Sequence, residues 1–355
     1  EDNNNNAPVR KTLKDYFKEY HSIDIGKGHV AKKFHKAEDQ TRWIALEKIH
    51  GSNFSFLCDG KEIVCCRRNA TLDPFESFYG FQQVRDKIKD KIFELFSQIQ
   101  KKLADATVIS VYGELFGGVY PHPQVKDEGC QPIQKGVYYS PTPEFCGYDI
   151  YIFSQSKPEG FWMNYNDAMK AMKSVGMFYS VPLMEGTIEE CLKFDIKINS
   201  TVPAQLGLSP LDKNIIEGIV IKTIEPVPIP GSRGVSRAIY KIKNAKFEEI
   251  NPKIEETIYE KERNKGRNAV EKTYAEIERY INENRLNSVT SKVGPLTKKN
   301  MDEVCRLLCE DAFKDFIKDN QETWEAVEED KQTQIKANTS SKVKAFVTDY
   351  MKSNS

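Results

Sequence analysis

The sequence predicts an α+β protein in two parts, a strand-rich N-terminal region and a small all-α C-terminal domain. Three observations predict it. Before about residue 250, short apolar runs alternate with breaks rich in Gly, Pro and Asn, the pattern of strands and turns. From Glu255 onward the apolar residues recur with a helical period, and Pro and Gly almost vanish apart from Gly266 and Gly294-Pro295. The 355 residues are enough for two domains and a sizeable core. The expected division is a disordered tail over 1–12, a first domain over 13–250 and a helical domain over 255–355.

Composition narrows the class. Apolar residues make up 39% and charged residues 29%, as in a soluble globular chain. No run is long and apolar enough to span a bilayer, and no signal-peptide pattern is visible, so no membrane partner is expected. Lys+Arg and Asp+Glu both number 52, so any nucleic acid must be met by a local basic surface. The eight cysteines include no Cys-x-x-Cys pair. They read as free thiols in a reducing intracellular compartment, with Cys305 and Cys309 on one helical face as core residues.

Taken in order, Glu1–Ala7 is an Asn-rich tail, Leu13–Tyr20 a short amphipathic helix, and Gly26–Lys36 a polar connector. Trp43-Ile44-Ala45-Leu46 is a buried strand, and Phe54-Ser55-Phe56-Leu57 alternates as a half-buried one. Gly51 permits a tight turn between them. Lys48 then stands at a strand end, on the lip of a cavity. A lone lysine is ordinarily solvated, but one held there becomes a nucleophile if burial or nearby cations strip its proton. Ile63–Asn69 is a strand ending in Arg67-Arg68, of which at most one enters a cavity. Val84–Leu103 is an amphipathic helix, and Val108–Gly118 a strand carrying Gly113-Glu114.

Glu144-Phe145-Cys146-Gly147-Tyr148-Asp149-Ile150 is a further strand-like run. Helices are expected at Asn166–Val175 and Gly186–Asp195, with a short segment from Ser200 to Leu208. Ile215–Lys222 is a buried strand interrupted by Glu217, a carboxylate that must meet a cation. Glu225–Arg237 reads as a loop. In the strand that follows, Lys241 and Lys243 point to one face, where an anion such as a triphosphate would relieve their repulsion. The last third reads as helices over Ile258–Asn284, Lys298–Asp319, Glu322–Lys336 and Ser341–Met351. Residues 251–355 hold 19 Lys/Arg against 20 Asp/Glu, so this part has no net basic signal.

Glu47-Lys48-Ile49-His50-Gly51-Ser52-Asn53-Phe54 resembles motif I of the covalent nucleotidyltransferases, in the form found in the RNA ligase 2 family of phage RNA ligase 2 and RNA editing ligases. Arg68 with the aromatic-Gly segment after it, Gly113-Glu114, the Tyr148 segment, Glu217-Gly218 and Lys241-x-Lys243-Asn244 resemble the later motifs, in family order. The resemblance implies an ATP-grasp-like, antiparallel-sheet nucleotidyltransferase domain. It implies an ATP-dependent RNA ligase that joins a 5′-phosphate to a 3′-hydroxyl through a lysyl-adenylate on Lys48.

By resemblance, Glu47, Ile49, Asn53, Arg68, Glu114, Tyr148, Glu217, Lys222, Lys241 and Lys243 surround the nucleotide. Glu47 reads the adenine amino group, Tyr148 stacks on adenine, Glu114 and Asn53 lie near the ribose, and Arg68 lies on the ribose or phosphate side. His50 supports transfer to RNA, and Lys241 and Lys243 neutralise phosphate. Mg²⁺ or Mn²⁺ is expected on Glu217 and Glu114, directly or through water, because hard oxygen ligands suit it. The expected partner is RNA with such ends in a nicked duplex, and the expected state a monomer. Two other readings are a DNA ligase or capping-type guanylyltransferase, opposed by His50 and the helical tail, and a non-catalytic RNA-binding subunit of this fold.

Overall fold

The computed structural model describes residues 11–21, 23–25, 41–228, 237–252 and 269–354. The Asn-rich tail over Glu1–Ala7, the Gly26–Lys36 connector and most of the 225–237 loop lie outside the described residues. The chain forms two compact units, Glu1–Asn244 and Ala245–Ser355. The division falls before residue 250 because the backbone after Asn244 is tied to the helical side. Asn284 donates to the Lys246 and Glu248 carbonyls, and Arg279 donates to that of Asn251.

The first unit contains β1 (Asp24–Ile25), β2 (Trp43–Glu47), β3 (Ser52–Cys58), β4 (Ile63–Arg67), β5 (Ala70–Thr71) and α1 (Phe81–Lys102). Next come β6 (Ala106–Val119), β7 (Ser140–Ser154), β8 (Phe161–Trp162), α2 (Tyr165–Ser174), β9 (Pro182–Gly186) and the short α3 (Ile188–Leu192) and α4 (Val202–Gln205). The strands β10 (Gly218–Thr223) and β11 (Ile239–Lys243) complete it. They build two sheets, in the orders β1-β11-β10-β2-β9 and β5-β4-β3-β6-β7-β8, antiparallel except for the β1–β11 pair. The α+β class with a helical C-terminal part is therefore what the molecule shows.

The expected turn at Gly51 is overturned. β2 and β3 do not form a hairpin: they belong to different sheets, and residues 48–51 cross between them. Gly51 is needed for close approach rather than for a turn. A Cβ there would lie 2.3 Å from the Leu115 carbonyl oxygen and 2.9 Å from Glu114 Cγ. Burial on both sides explains the unbroken apolar run of β2. Ile44 and Leu46 join the large core beneath α1, while Trp43 and Ala45 join a second core with Ile219, Ile221 and Tyr240. The apolar stripe of α1 (Val84, Ile88, Ile92, Leu95, Phe96 and Ile99) packs in that large core with β3, β6 and β7 residues.

Leu13–Tyr20 is not a helix beyond one 3-10 turn at Leu13–Tyr16. The chain then runs extended, with Tyr20 buried.

The second unit holds α5 (Ala269–Glu278), α6 (Glu283–Val293), α7 (Met301–Asp319), α8 (Gln321–Glu325) and α9 (Glu329–Ser353). The expected helix over 258–284 breaks at 279–282, where Asn282 caps α6 by accepting from the Arg285 amide. The two helices expected after Glu322 divide elsewhere. The interruption lies between Glu325 and Glu329, and α9 runs unbroken through Thr339 and Ser341. Their hydroxyls bond back to the Ile335 and Ala337 carbonyls, which lets polar residues sit inside a helix. Cys305 and Cys309 share a face but stay half-buried rather than in the core, and all eight cysteines are free thiols. No helix among the described residues is long and apolar enough to cross a membrane.

Candidate active site

Strand register builds the site. In the β2–β10 pair Glu47 faces Ile219, and one step on the Lys48 amide donates to the Gly218 carbonyl at 2.9 Å. In the β10–β11 pair Gly218 faces Lys243. Lys48, Glu217-Gly218 and Lys243 thus line up across three strand ends. No side chain would fit at Gly218, where a Cβ would lie 2.0 Å from the Ile242 carbonyl oxygen.

Glu217 is the hub. Its carboxylate is 2% exposed and takes Lys48 Nζ at 2.7 Å and His50 Nδ1 at 3.1 Å, both on Oε2, with Lys243 Nζ 3.4 Å from Oε1. Burial pushes this acid up, but Lys48, His50 and Lys243 outweigh it and hold the carboxyl well below its ordinary range. The expectation that Glu217 must meet a cation is satisfied by Lys48 and Lys243, with the His50 ring as a third partner.

From the other sheet come Asn53, Glu114, Tyr148 and Arg68. Asn53 on β3 faces Glu114 on β6. Burial pushes the Glu114 carboxyl up to about 8 against the pull of Lys48, and the Glu217 charge adds to the rise. Tyr148 is aimed by a β-bulge. Tyr112 pairs with Asp149 and Gly113 with Gly147, which leaves Tyr148 as the extra residue. Its hydroxyl accepts from Asn53 Nδ2 at 2.5 Å. Arg68 lies just past β4, 3.5 Å from Glu19. Its charge opposes both the rise of the Glu114 acid and that of the Tyr148 phenol, which sets it on this side of the sheet.

Lys222 departs from the reading that aimed it at the nucleotide. It is buried and donates to the Tyr148 carbonyl at 2.8 Å and to Asp149 at 3.0 Å. Burial pulls its ammonium down to about 8 although Asp149 opposes this. Asp149, drawn down to about 2 by Arg237 and Lys222 against its own burial, also accepts from Tyr20 at 2.6 Å. Lys222 therefore braces the wall behind Tyr148.

Glu47, 6% exposed, is held by Ser200 and Thr201. Ile49 is buried, and the His50 amide donates to the Tyr139 hydroxyl at 2.8 Å. Lys241 shares the face of Lys243 on β11.

Sequence reasoning missed Asp149, Tyr20, Arg237, Tyr139, Ser200 and Thr201. Asp149 adjoins Tyr148 in a quoted segment, and a charge inside an apolar strand was the available signal. The others are joined to the site only through tertiary contacts.

The metal expectation can be tested on the donors present. Among the described residues no three His, Cys, Asp or Glu side chains gather closely enough to hold an ion. Glu114 and Glu217 are near enough for the charge of Glu217 to raise the Glu114 carboxyl. That pair fits a cation that keeps most of its waters or binds phosphate oxygens, as Mg²⁺ does.

Comparison with known proteins agrees with this geometry. The family model described as RNA ligase matches residues 41–243, and the one described as T4 RNA ligase 2 C-terminal matches residues 264–345. The chain is 28% identical to mitochondrial RNA-editing ligase 1 of Trypanosoma brucei brucei over 357 residues, covering 85% of this chain and 76% of that protein. For RNA-editing ligase 2 of the same organism the figures are 26% over 333 residues, 79% and 78%. A Naegleria gruberi RNA ligase mutant solved with ATP and Mn superposes with a TM-score of 0.41 and 14% identity. It covers 67% of this chain and 58% of that one, a likeness too partial to bear on the argument. With its motifs in register and one family model spanning more than half its length, the chain belongs to the RNA ligase family.

Proposed function

We propose that this member of the RNA ligase family seals RNA 5′-phosphate and 3′-hydroxyl ends with Lys48 as its nucleophile. ATP-dependent RNA ligation follows from the family; the route and the residue roles are the proposal. The observation that carries it is the Lys48–Glu217–His50–Lys243 cluster. It combines a lysine at the mouth of a buried site with more positive groups than its one central carboxylate can neutralise.

In the first step Lys48 Nζ bonds to the α-phosphorus of ATP and pyrophosphate leaves. In the second, a 5′-phosphate oxygen of RNA takes the AMP and Nζ is released. In the third, the RNA 3′-hydroxyl attacks that phosphate, AMP leaves, and the strand closes. Dividing the join this way supplies a good leaving group.

Before the first step the Lys48 ammonium gives up a proton, so that Nζ carries the lone pair that attacks phosphorus. Lys243 and Lys241 share one face of β11 and meet the growing phosphate charge. A Mg²⁺ or Mn²⁺ held by Glu217 and Glu114 would supply further charge neutralisation at phosphate. Tyr148, set out by its bulge and tied to Asn53, offers a ring for the adenine. A nicked duplex is the proposed RNA, and a monomer in a reducing compartment the proposed state; its relatives carry mitochondrial names.

The test uses ATP labelled at the α-phosphate with Mg²⁺, followed by denaturation. Label should stay on the wild-type protein, be released by pyrophosphate, and be absent from Lys48→Ala. Label retained on Lys48→Ala would move the nucleophile elsewhere.

A further inference from the structure

Glu47 ends β2 beside the nucleophile, and its orientation is fixed from a segment some 150 residues away. Ser200 Oγ donates to Oε1 at 2.6 Å, and both the Thr201 amide and its Oγ1 donate to Oε2 at 2.8 Å. That segment is itself rigidly placed. The Ser200 amide donates to Asn214 O at 2.8 Å, the Ile216 amide donates to Ile198 O at 3.1 Å, and Asn199 bridges Ile215. Asn244 Nδ2 joins Ile196 O and Ile216 O. The bed that holds Glu47 is therefore continuous with the strand that delivers Glu217.

A carboxylate has about four acceptor positions. Two on Oε2 and one on Oε1 are taken, which leaves a single acceptor position, on Oε1. Burial pushes the Glu47 carboxyl up, and the three donors oppose that rise by favouring the ionised form, which can only accept. Glu47 directly precedes Lys48 and pairs with Ile219, two residues after Glu217, so it stands beside that cluster.

We infer that Ser200 and Thr201 set nucleotide choice, by holding Glu47 so that one fixed acceptor meets the 6-position of the purine. The inference rests on the reading of Glu47 as the purine-facing carboxylate. An adenine presents an N–H there. A guanine presents a carbonyl oxygen, which would leave a buried carboxylate facing a second acceptor, the costly outcome for a buried polar group. Without the clamp, Glu47 can turn or share a proton, and the penalty against a 6-oxo purine falls. A merely structural staple would lower stability and leave the purine preference as it was.

The experiment measures kcat/KM for label transfer to full-length protein from α-labelled ATP and GTP. Ser200→Ala/Thr201→Val should lower the ATP:GTP preference at least tenfold, while Thr201→Ser, which keeps all three donors, leaves it unchanged. Should the double variant not fold, Ser200→Ala alone keeps both Thr201 bonds and should lower the preference about threefold. Glu47→Gln separates the two failures. If it collapses the preference and folded clamp variants do not, the clamp inference is overturned. If Glu47→Gln itself leaves the preference intact, the purine-facing reading falls and takes the inference with it.

Discussion

Two lysine–carboxylate pairs lie in the same unit and are built in opposite ways. Lys48 and Glu217 meet at 2.7 Å with the lysine side chain 21% exposed, and the carboxylate is shared with His50 and Lys243. Lys222 and Asp149 meet at 3.0 Å with both side chains at 2% or less, and Asp149 is shared with Arg237 and Tyr20. Both carboxylates are held below their ordinary range by neighbouring cations. The difference is access. The first pair has an open side and can exchange partners when phosphate arrives. The second is sealed and can only hold its shape. A buried lysine beside an acid is thus no mark of catalysis by itself. We propose that the open side is what lets the first pair take part in the chemistry.

The sharpest way to break this comparison is Glu217→Gln. The amide fills the same space but leaves Lys48 and Lys243 without their central counter-charge. We expect label transfer from ATP to fall at least about 100-fold, the scale of losing preorganised charge at a reacting centre. Single-turnover quench measurements would read it. A rate within tenfold of wild type would make the open pair as structural as the sealed one.

Asp149→Asn is the matching change in the sealed pair, and its main effect should be on stability. It leaves Lys222 and Arg237 buried together, and removing one partner of a buried pair costs about 3–5 kcal/mol. The pH dependence follows from the sign. Against the push of burial, Arg237 and Lys222 hold the folded Asp149 carboxyl at about 2, below the 3.8 of a free aspartate. Its stabilisation is therefore fully present above pH ~4 and is lost as pH falls towards ~2. Urea titrations at pH 6 and pH 3 should show the wild-type advantage over Asp149→Asn shrinking at the lower pH. An advantage that grew on acidification would reverse the assignment.

The two pairs also differ in how far they could be read from sequence. Lys48, Glu217 and Lys243 stand at strand ends, which the apolar runs beside them mark, while their sharing one site is what the motif resemblance implies. Tyr148 likewise enters through that resemblance, but the bulge that aims it depends on where β6 and β7 fall out of register. The β2–β3 hairpin was expected because a glycine between two strands usually turns. Here the sheet partners are fixed by β6 and β10, far along the chain, and no local signal carries that. The resemblance places Lys222 at the nucleotide. Its partner in the fold is Asp149, 73 residues earlier, a pairing that only the packed structure shows. Ser200 and Thr201 read as the start of a short segment and nothing more.

Lys222→Met should give the smallest effect and decides how that lysine is used. Asp149 keeps Arg237 and Tyr20, so no charge is orphaned, and methionine fills much of the same volume. The Tyr148 carbonyl loses one donor, a loss of about 1 kcal/mol. Removing a cation whose burial already pulls it down to about 8 offsets part of this. We expect the denaturation midpoint to shift slightly and label transfer from ATP to stay within about threefold. If label transfer instead vanishes in a protein of normal stability, Lys222 reaches the phosphates during the reaction, and the sealed pair opens after all.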